Sequence, residues 1–137
     1  MSLNISKYKI EGDSVWTELE GFEGAEFLIR RMASREVLRG RERILSEGQT
    51  KRKMTKDTLK DEELIDISLR LYSEYVLLDW RDIKEDGKDV AYSAEKAAEY
   101  LELVDGFHTA IQNFSTENQN FIGAEETAKK SGKPLSK

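Results

Sequence analysis

The feature that most constrains this fold is the high density of apolar residues between Leu64 and Trp80. Placed on a helix, these residues cover nearly the whole circumference, and a helix that is apolar all round has to be buried. Acidic residues occupy positions 61–63, and acidic side chains favour the first turn of a helix because of its dipole. The pattern therefore predicts a central buried helix over residues 61–80, with the rest of the chain packed around it.

A short hairpin is predicted near the N-terminus. The segment 15–20 alternates and is rich in strand-forming residues, and the segment 26–30 can form a returning strand. Gly21 and Gly24 lie between them and favour a turn. We therefore expect a β-hairpin over about residues 14–30.

The next element is predicted to be a basic helix. Ser34 is a suitable N-cap and Gly48 a suitable C′ residue, which together predict a helix over residues 35–47. Its apolar stripe is narrow and consists of Val37, Leu38, Ile44 and Leu45. Most of this helix is therefore expected to face water, and the basic segment 49–56 that follows is expected to be a mobile connection.

The remaining elements are short. Asp86-Gly87 favours a tight turn, Ser93 can cap a helix over residues 94–104, and an apolar stripe predicts a further helix over residues 107–114. Residues 123–137 contain a single large apolar side chain, so we expect a disordered tail there.

The length of 137 residues fits one domain. We therefore expect a mainly α protein: a single globular domain over residues 1–122, with a short N-terminal β-hairpin and a flexible C-terminal tail.

Few groups are available for catalysis or metal binding. The chain has no cysteine and a single histidine, His108, which excludes thiolate sites and two-histidine mechanisms. Residues 82–87 are similar to the opening of a calcium loop, but Lys84 stands at a ligand position and Ser93 stands where a closing glutamate is required. The common catalytic motifs are absent. We expect a protein that is not an enzyme, with no catalytic, cofactor-binding or metal-binding residues and no small-molecule substrate.

No membrane contact is expected. The longest strongly apolar run has four residues, 75–78, whereas a membrane-spanning helix needs about 18 or more. The N-terminal residues do not form the charged and apolar regions of a signal peptide, so we expect an intracellular protein.

Charge is distributed unevenly along the chain. Residues 30–56 contain ten basic and three acidic residues, a net charge of +7, so the remainder must carry −12 to reach the total of −5. Such a split can mark a nucleic-acid-binding regulator that uses the basic segment 30–56. It can equally mark weak head-to-tail self-association, in which Arg35, Arg39 and Arg43 of one copy meet an acidic surface of the next. Nucleic acid is the weaker alternative, because the segment has no aromatic residue for base stacking and the remainder of the chain is acidic.

Three phenylalanines repeat every seven residues, at Phe107, Phe114 and Phe121. They can form a core stripe against the central helix. Alternatively, they can form a ridge or groove that receives a partner helix, because such contacts use the same spacing.

The order of segments over residues 13–122 resembles the tail assembly chaperones of tailed bacteriophages with long non-contractile tails. The features that carry the resemblance are Val15-Trp16 and Glu18, Phe27-Leu28-Ile29-Arg30, Ser34-Arg35-Glu36, Val76-Leu77-Leu78-Asp79-Trp80 with Ile83, Asp86-Gly87-Lys88, Tyr92-Ser93-Ala94-Glu95, and Phe121 before a lysine-rich end. Their order and spacing, more than any single motif, make the chain similar to this family.

The resemblance implies a non-enzymatic role. Such a protein binds the long, largely helical tape-measure protein, keeps it soluble and promotes polymerisation of the tail-tube protein around it. It is expected in the cytoplasm of the bacterial host and not in the mature virion.

Overall fold

The computed structural model describes residues 2–52 and 61–122. Within these ranges the fold is mixed α/β, with four α-helices and five short strands in two sheets. The strands are β1 (Ser14–Thr17), β2 (Glu26–Arg30), β3 (Leu77–Arg81), β4 (Lys84–Glu85) and β5 (Lys88–Asp89), and the helices are α1 (Arg35–Arg52), α2 (Asp61–Leu71), α3 (Ala94–Leu103) and α4 (Phe107–Thr116). A π-helical turn covers Tyr72–Val76, and 3₁₀ turns cover Ile5–Tyr8 and Asn118–Phe121. No helix in these ranges is long and apolar enough to cross a membrane.

The prediction of a mainly α fold is wrong, because the predicted helix over residues 61–80 is three elements. The chain leaves α2 at Leu71, passes through the π-helical turn and becomes strand β3. β3 pairs antiparallel with β2, which makes the predicted hairpin a three-stranded sheet in the order β1-β2-β3. If residues 61–80 were one helix, their apolar side chains would cover all its sides. They show no single helical face because α2 ends at Leu71 and the second half of the segment forms the π-helical turn and β3.

The start of that segment is also less buried than predicted. Leu64 and Ile65 are 49% and 56% exposed. The buried part begins at Leu71 and continues through the π-helical turn into β3. There the sheet and the helices share one core of buried residues: Leu19, Ala25, Phe27, Ile29, Val37, Ile44, Leu71, Tyr72, Val76, Leu77, Trp80, Ala97, Leu101, Phe107 and Ile111.

Several local predictions are confirmed. The hairpin pairs Ser14 with Arg30 at one end, and the Ser93 hydroxyl caps α3 by accepting from the N–H of Lys96 at 3.0 Å. β4 and β5 form a small hairpin around Asp86 and Gly87, both of which have positive φ. A two-residue turn with positive φ at both positions is the one that Asp-Gly favours.

Other predictions on helix ends need correction or lie outside the described residues. Ser34 caps α1 as predicted, accepting from the N–H of Val37, but the helix continues through Gly48 to Arg52. A glycine inside a helix costs only about 1 kcal/mol relative to alanine, so it does not force an end. The prediction of a mobile connection over residues 49–56 is wrong for residues 49–52, which are helical. Its residues 53–56, and the tail predicted for 123–137, lie outside the described residues.

Substitutions at two adjacent leucines test the strand assignment. Leu77 is fully buried, whereas Leu78 is partly buried at an irregularity in the pairing of β3 with β2. Leu77→Ala should lower the free energy of unfolding by about 2–5 kcal/mol, and Leu78→Ala by clearly less. Urea denaturation of both variants measures the difference, and equal losses would contradict the burial pattern.

His108 supports a pH prediction. It lies on α4 with its ring centroid 4.6 Å from that of Tyr72, and its Nε2 is 3.5 Å from the Ser68 hydroxyl. Burial lowers the pKa of His108 below its ordinary value of 6.5. Because His108 takes up a proton more readily in the unfolded chain than in the folded one, protonation favours unfolding. The free energy of unfolding should therefore be independent of His108 titration well above pH 6.5 and should decrease as the pH falls below 6.5.

The measurement is the urea midpoint of wild type and His108→Gln between pH 7.5 and 5.5. The wild type should lose more stability over this interval than the variant. An identical pH dependence for the two proteins would show that His108 does not contribute.

Candidate partner-binding surfaces

One open cleft of about 610 Å³ lies among the β1–β2 loop, β4, the end of α3 and the start of α4. We call it the apolar cleft. Its lining is mainly apolar and consists of Phe22, Gly24, Ala25, Phe27, Ile83, Tyr100, Val104 and Phe107, with Glu23, Asp82, Lys84 and Glu85 as its charged members.

Turn glycines and aromatic packing build the apolar cleft. Gly21 and Gly24 have φ of 90° and 105°, and Gly106 has φ of 81°, values that favour glycine over other residues. The turns carry Phe22 onto Phe107, with ring centroids 5.4 Å apart in an edge-to-face arrangement. Such pairs add stability beyond their buried area, so the floor of the cleft is firmly held.

The rim of the apolar cleft is acidic. Its lining contains three carboxylates and one lysine. The backbone N–H groups of Glu23 itself and of Gly21 lower the pKa of Glu23, and Glu85 accepts from the Tyr100 hydroxyl at 2.5 Å. That hydrogen bond raises the pKa of Tyr100 to about 12, so Tyr100 stays protonated and keeps donating to Glu85. The cleft is therefore suited to an apolar group flanked by cations.

A second cleft of about 610 Å³ is bounded by the end of the β1 segment, α4 and the residues after it. We call it the carboxylate cleft. It is lined by Glu18, Leu19, Glu20, Gly106, Thr109, Ala110, Asn113, Phe114, Glu117 and Asn120. Three carboxylates and no cation are among these residues.

The outer face of α1 is the third surface. Arg35, Leu38 and Arg39 are exposed on it, and the spacing i, i+3, i+4 places them together. We call these three residues the α1 face. Leu38 is 49% exposed, which corrects its predicted place in the buried stripe of the helix.

Gly40 fixes the position of α1. A Cβ at Gly40 would lie 2.6 Å from ring atoms of Tyr75, so the helix can approach the π-helical turn this closely only with glycine there. The Tyr75 hydroxyl in turn accepts from Arg43 Nη1 at 2.6 Å. The opposite face of the helix is thereby turned to solvent.

The predicted partner-binding residues divide into two groups. Arg35, Arg39 and Arg43 are all exposed on α1, although Arg43 also pairs with Glu47 at 3.8 Å. The phenylalanines do not form a single ridge: Phe107 is the floor of the apolar cleft at 3% exposure, half-buried Phe114 lines the carboxylate cleft, and Phe121 is fully buried. These positions favour the core interpretation for Phe107 and Phe121.

Most residues of the two clefts were not predicted from the sequence. Val104 in the apolar cleft and Leu38 on the α1 face are apolar, and only the structure shows that they reach solvent. The glycines of the β1–β2 loop were the available signal for the apolar cleft, since they predicted the turn but not what it would approach. Among the described residues, no group of three His, Cys, Asp or Glu side chains is placed to hold a metal ion.

Replacing Gly40 by alanine tests the packing of α1. Alanine is the better helix former by about 1 kcal/mol, so an unhindered site would gain stability. The clash with Tyr75 should instead make Gly40→Ala less stable than wild type. Thermal unfolding monitored by circular dichroism decides the sign, and a rise in Tm would contradict the close approach.

Comparison with known proteins identifies one family. The model of the YdaY prophage protein family matches residues 32–133, which is 102 of the 137 residues. No curated protein and no solved structure matches the chain. The match supports a prophage origin, which agrees with the resemblance to phage proteins, but it does not identify a tail assembly chaperone. The chain belongs to the YdaY prophage protein family.

Proposed function

We propose that this prophage protein is a tail assembly chaperone that binds the tape-measure protein, keeps it soluble and promotes polymerisation of the tail-tube protein around it. The proposal includes no catalytic step. It places the protein in the cytoplasm of the bacterial host and outside the mature virion.

The observation that carries the proposal is the apolar cleft. An amphipathic helix binds such a groove with apolar anchors spaced three and four residues apart. Val104, at 37% exposure, and the aromatic floor at Phe107 offer contacts for these anchors. The acidic rim favours a helix whose flanking residues are lysine or arginine.

A shallow cleft of this size suits a chaperone more than a permanent partner. A single site of about 610 Å³ accepts only a few side chains at a time. Many copies along one long helical protein supply avidity, and each contact can still be released when the tube replaces it.

Two contacts weaken the support for the nucleic-acid alternative, which uses the basic segment 30–56. Arg30 donates to the Tyr75 carbonyl at 3.1 Å, and Arg31 is paired with Asp13 at 3.1 Å. These arginines are held by protein groups, and α1 has no aromatic residue on which a base could stack.

The test is coexpression with a fragment of the tape-measure protein encoded by the same prophage. Val104→Asp places a charge in the apolar cleft, and Leu103→Asp makes the same change at a neighbouring residue that is 70% exposed and does not line the cleft. Wild type and Leu103→Asp should keep the fragment soluble and copurify with it, whereas Val104→Asp should lose most of this effect.

Two results would contradict the proposal at different levels. If wild type left the fragment insoluble, the chaperone function would be wrong. If Val104→Asp protected the fragment as well as wild type, the function would stand but the apolar cleft would not be its site.

A further inference from the structure

We propose that the α1 face of one copy docks in the carboxylate cleft of a second copy. The contact is separate from the apolar cleft and does not depend on the proposed chaperone function. It assigns a pair of surfaces to the self-association that the uneven charge predicts.

The α1 face combines a half-exposed leucine with two arginine side chains that have no partner in the described ranges. Leu38 is half exposed, and Arg35 and Arg39 lie beside it one helical turn apart. Neither guanidinium group has a hydrogen bond or ion pair with any residue in the described ranges. Glu42 is the acidic residue on the same side of the helix, and the two arginines outweigh it.

The carboxylate cleft has the complementary arrangement. Its floor includes Leu19 and half-buried Ala110 and Phe114, which can receive a leucine side chain. Glu20 and Glu117 are exposed at its edge, and among the described residues their carboxylates accept no hydrogen bond and form no ion pair. Leu38 therefore matches the floor, and Arg35 and Arg39 match the edge.

The two surfaces belong to different parts of the chain. α1 packs against α2 and the π-helical turn, whereas the cleft is formed by residues 18–20 and by α4 with the residues after it. A contact between them across copies is heterologous, because each copy uses one surface toward one neighbour and the other surface toward the next. Such a contact produces a ring or an open chain.

Charge reversal on each surface provides the test. The face variant is Arg35→Glu with Arg39→Glu, and the cleft variant is Glu20→Lys with Glu117→Lys; Glu18 is left unchanged because its Oε2 accepts from the N–H of Gly24. In sedimentation velocity at low salt the wild type should associate, and each variant alone should be monomeric. Salt should weaken the wild-type association because the charges are exposed.

An equimolar mixture of the two variants is the decisive sample. The unchanged acidic cleft of the face variant can bind the unchanged basic face of the cleft variant. The acidic face of the face variant can also bind the basic cleft of the cleft variant. Association should therefore return in the mixture. If either variant had failed to associate only because it was unfolded, mixing would not restore association.

Matched controls carry the same change in net charge elsewhere. Lys7→Glu with Lys88→Glu and Glu62→Lys with Glu102→Lys alter exposed residues outside both surfaces. Both should associate like wild type. Leu38→Ser should weaken association about tenfold or more, whereas Leu103→Ser, at a more exposed leucine, should not.

The proposal is overturned if wild type stays monomeric at low salt, if the face and cleft variants associate like wild type, or if the mixture of two folded variants stays monomeric. Val104→Asp should associate normally. This result separates the self-contact from the chaperone site, so either proposal can fail alone.

Discussion

The fold depends on how the backbone carbonyl groups obtain hydrogen-bond donors at the point where helix changes to strand. At the π-helical turn the chain leaves its regular hydrogen bonds, and carbonyl groups there need other donors. The Tyr92 hydroxyl lies 2.7 Å from the Leu77 carbonyl oxygen and 3.1 Å from that of Ser73, and Arg30 donates to the carbonyl of Tyr75. Buried carbonyls without these donors would be costly, so the change of direction is stable only in the assembled domain.

That junction also positions the apolar cleft and the α1 face. Beyond it, β3 pairs with β2 and brings Ile83 and the β4–β5 hairpin to the apolar cleft. Within it, Tyr75 fits against Gly40 and determines which side of α1 faces solvent. The Trp80 indole N–H donates to the Val90 carbonyl at 2.9 Å and connects β3 to the segment that leads into α3. The π-helical turn thus packs against the three-stranded sheet and against α1, α2 and α3.

Sequence patterns predicted the elements whose causes are local. The Asp86-Gly87 turn and the Ser93 cap depend on a few adjacent residues, and both were located correctly. The end of α2 depends instead on Tyr92 and Arg30, which are distant in sequence, and no periodicity contains that information. A run of apolar residues is equally compatible with a buried helix and with a helix that turns into a buried strand.

The same distinction explains the candidate surfaces. The exposed arginines of α1 followed from a narrow apolar stripe, whereas Leu38 was assigned to that stripe because spacing alone does not show which edge of it is covered. The burial of Phe107 under Phe22 required a contact between a loop and a helix more than 80 residues apart. The basic face could therefore be predicted from the sequence, whereas the two clefts could not.

The N-terminal hairpin lies outside the residues that the family model matches. The matched range of residues 32–133 includes β3 but neither β1 nor β2. Without β2, strand β3 would have no strand partner among the described residues, and its unpaired backbone edge would be a liability for aggregation. Residues 18–27 also form one wall of each cleft. In this chain the hairpin and its loop therefore cover the edge of β3 and, by the same packing, contribute to the two clefts.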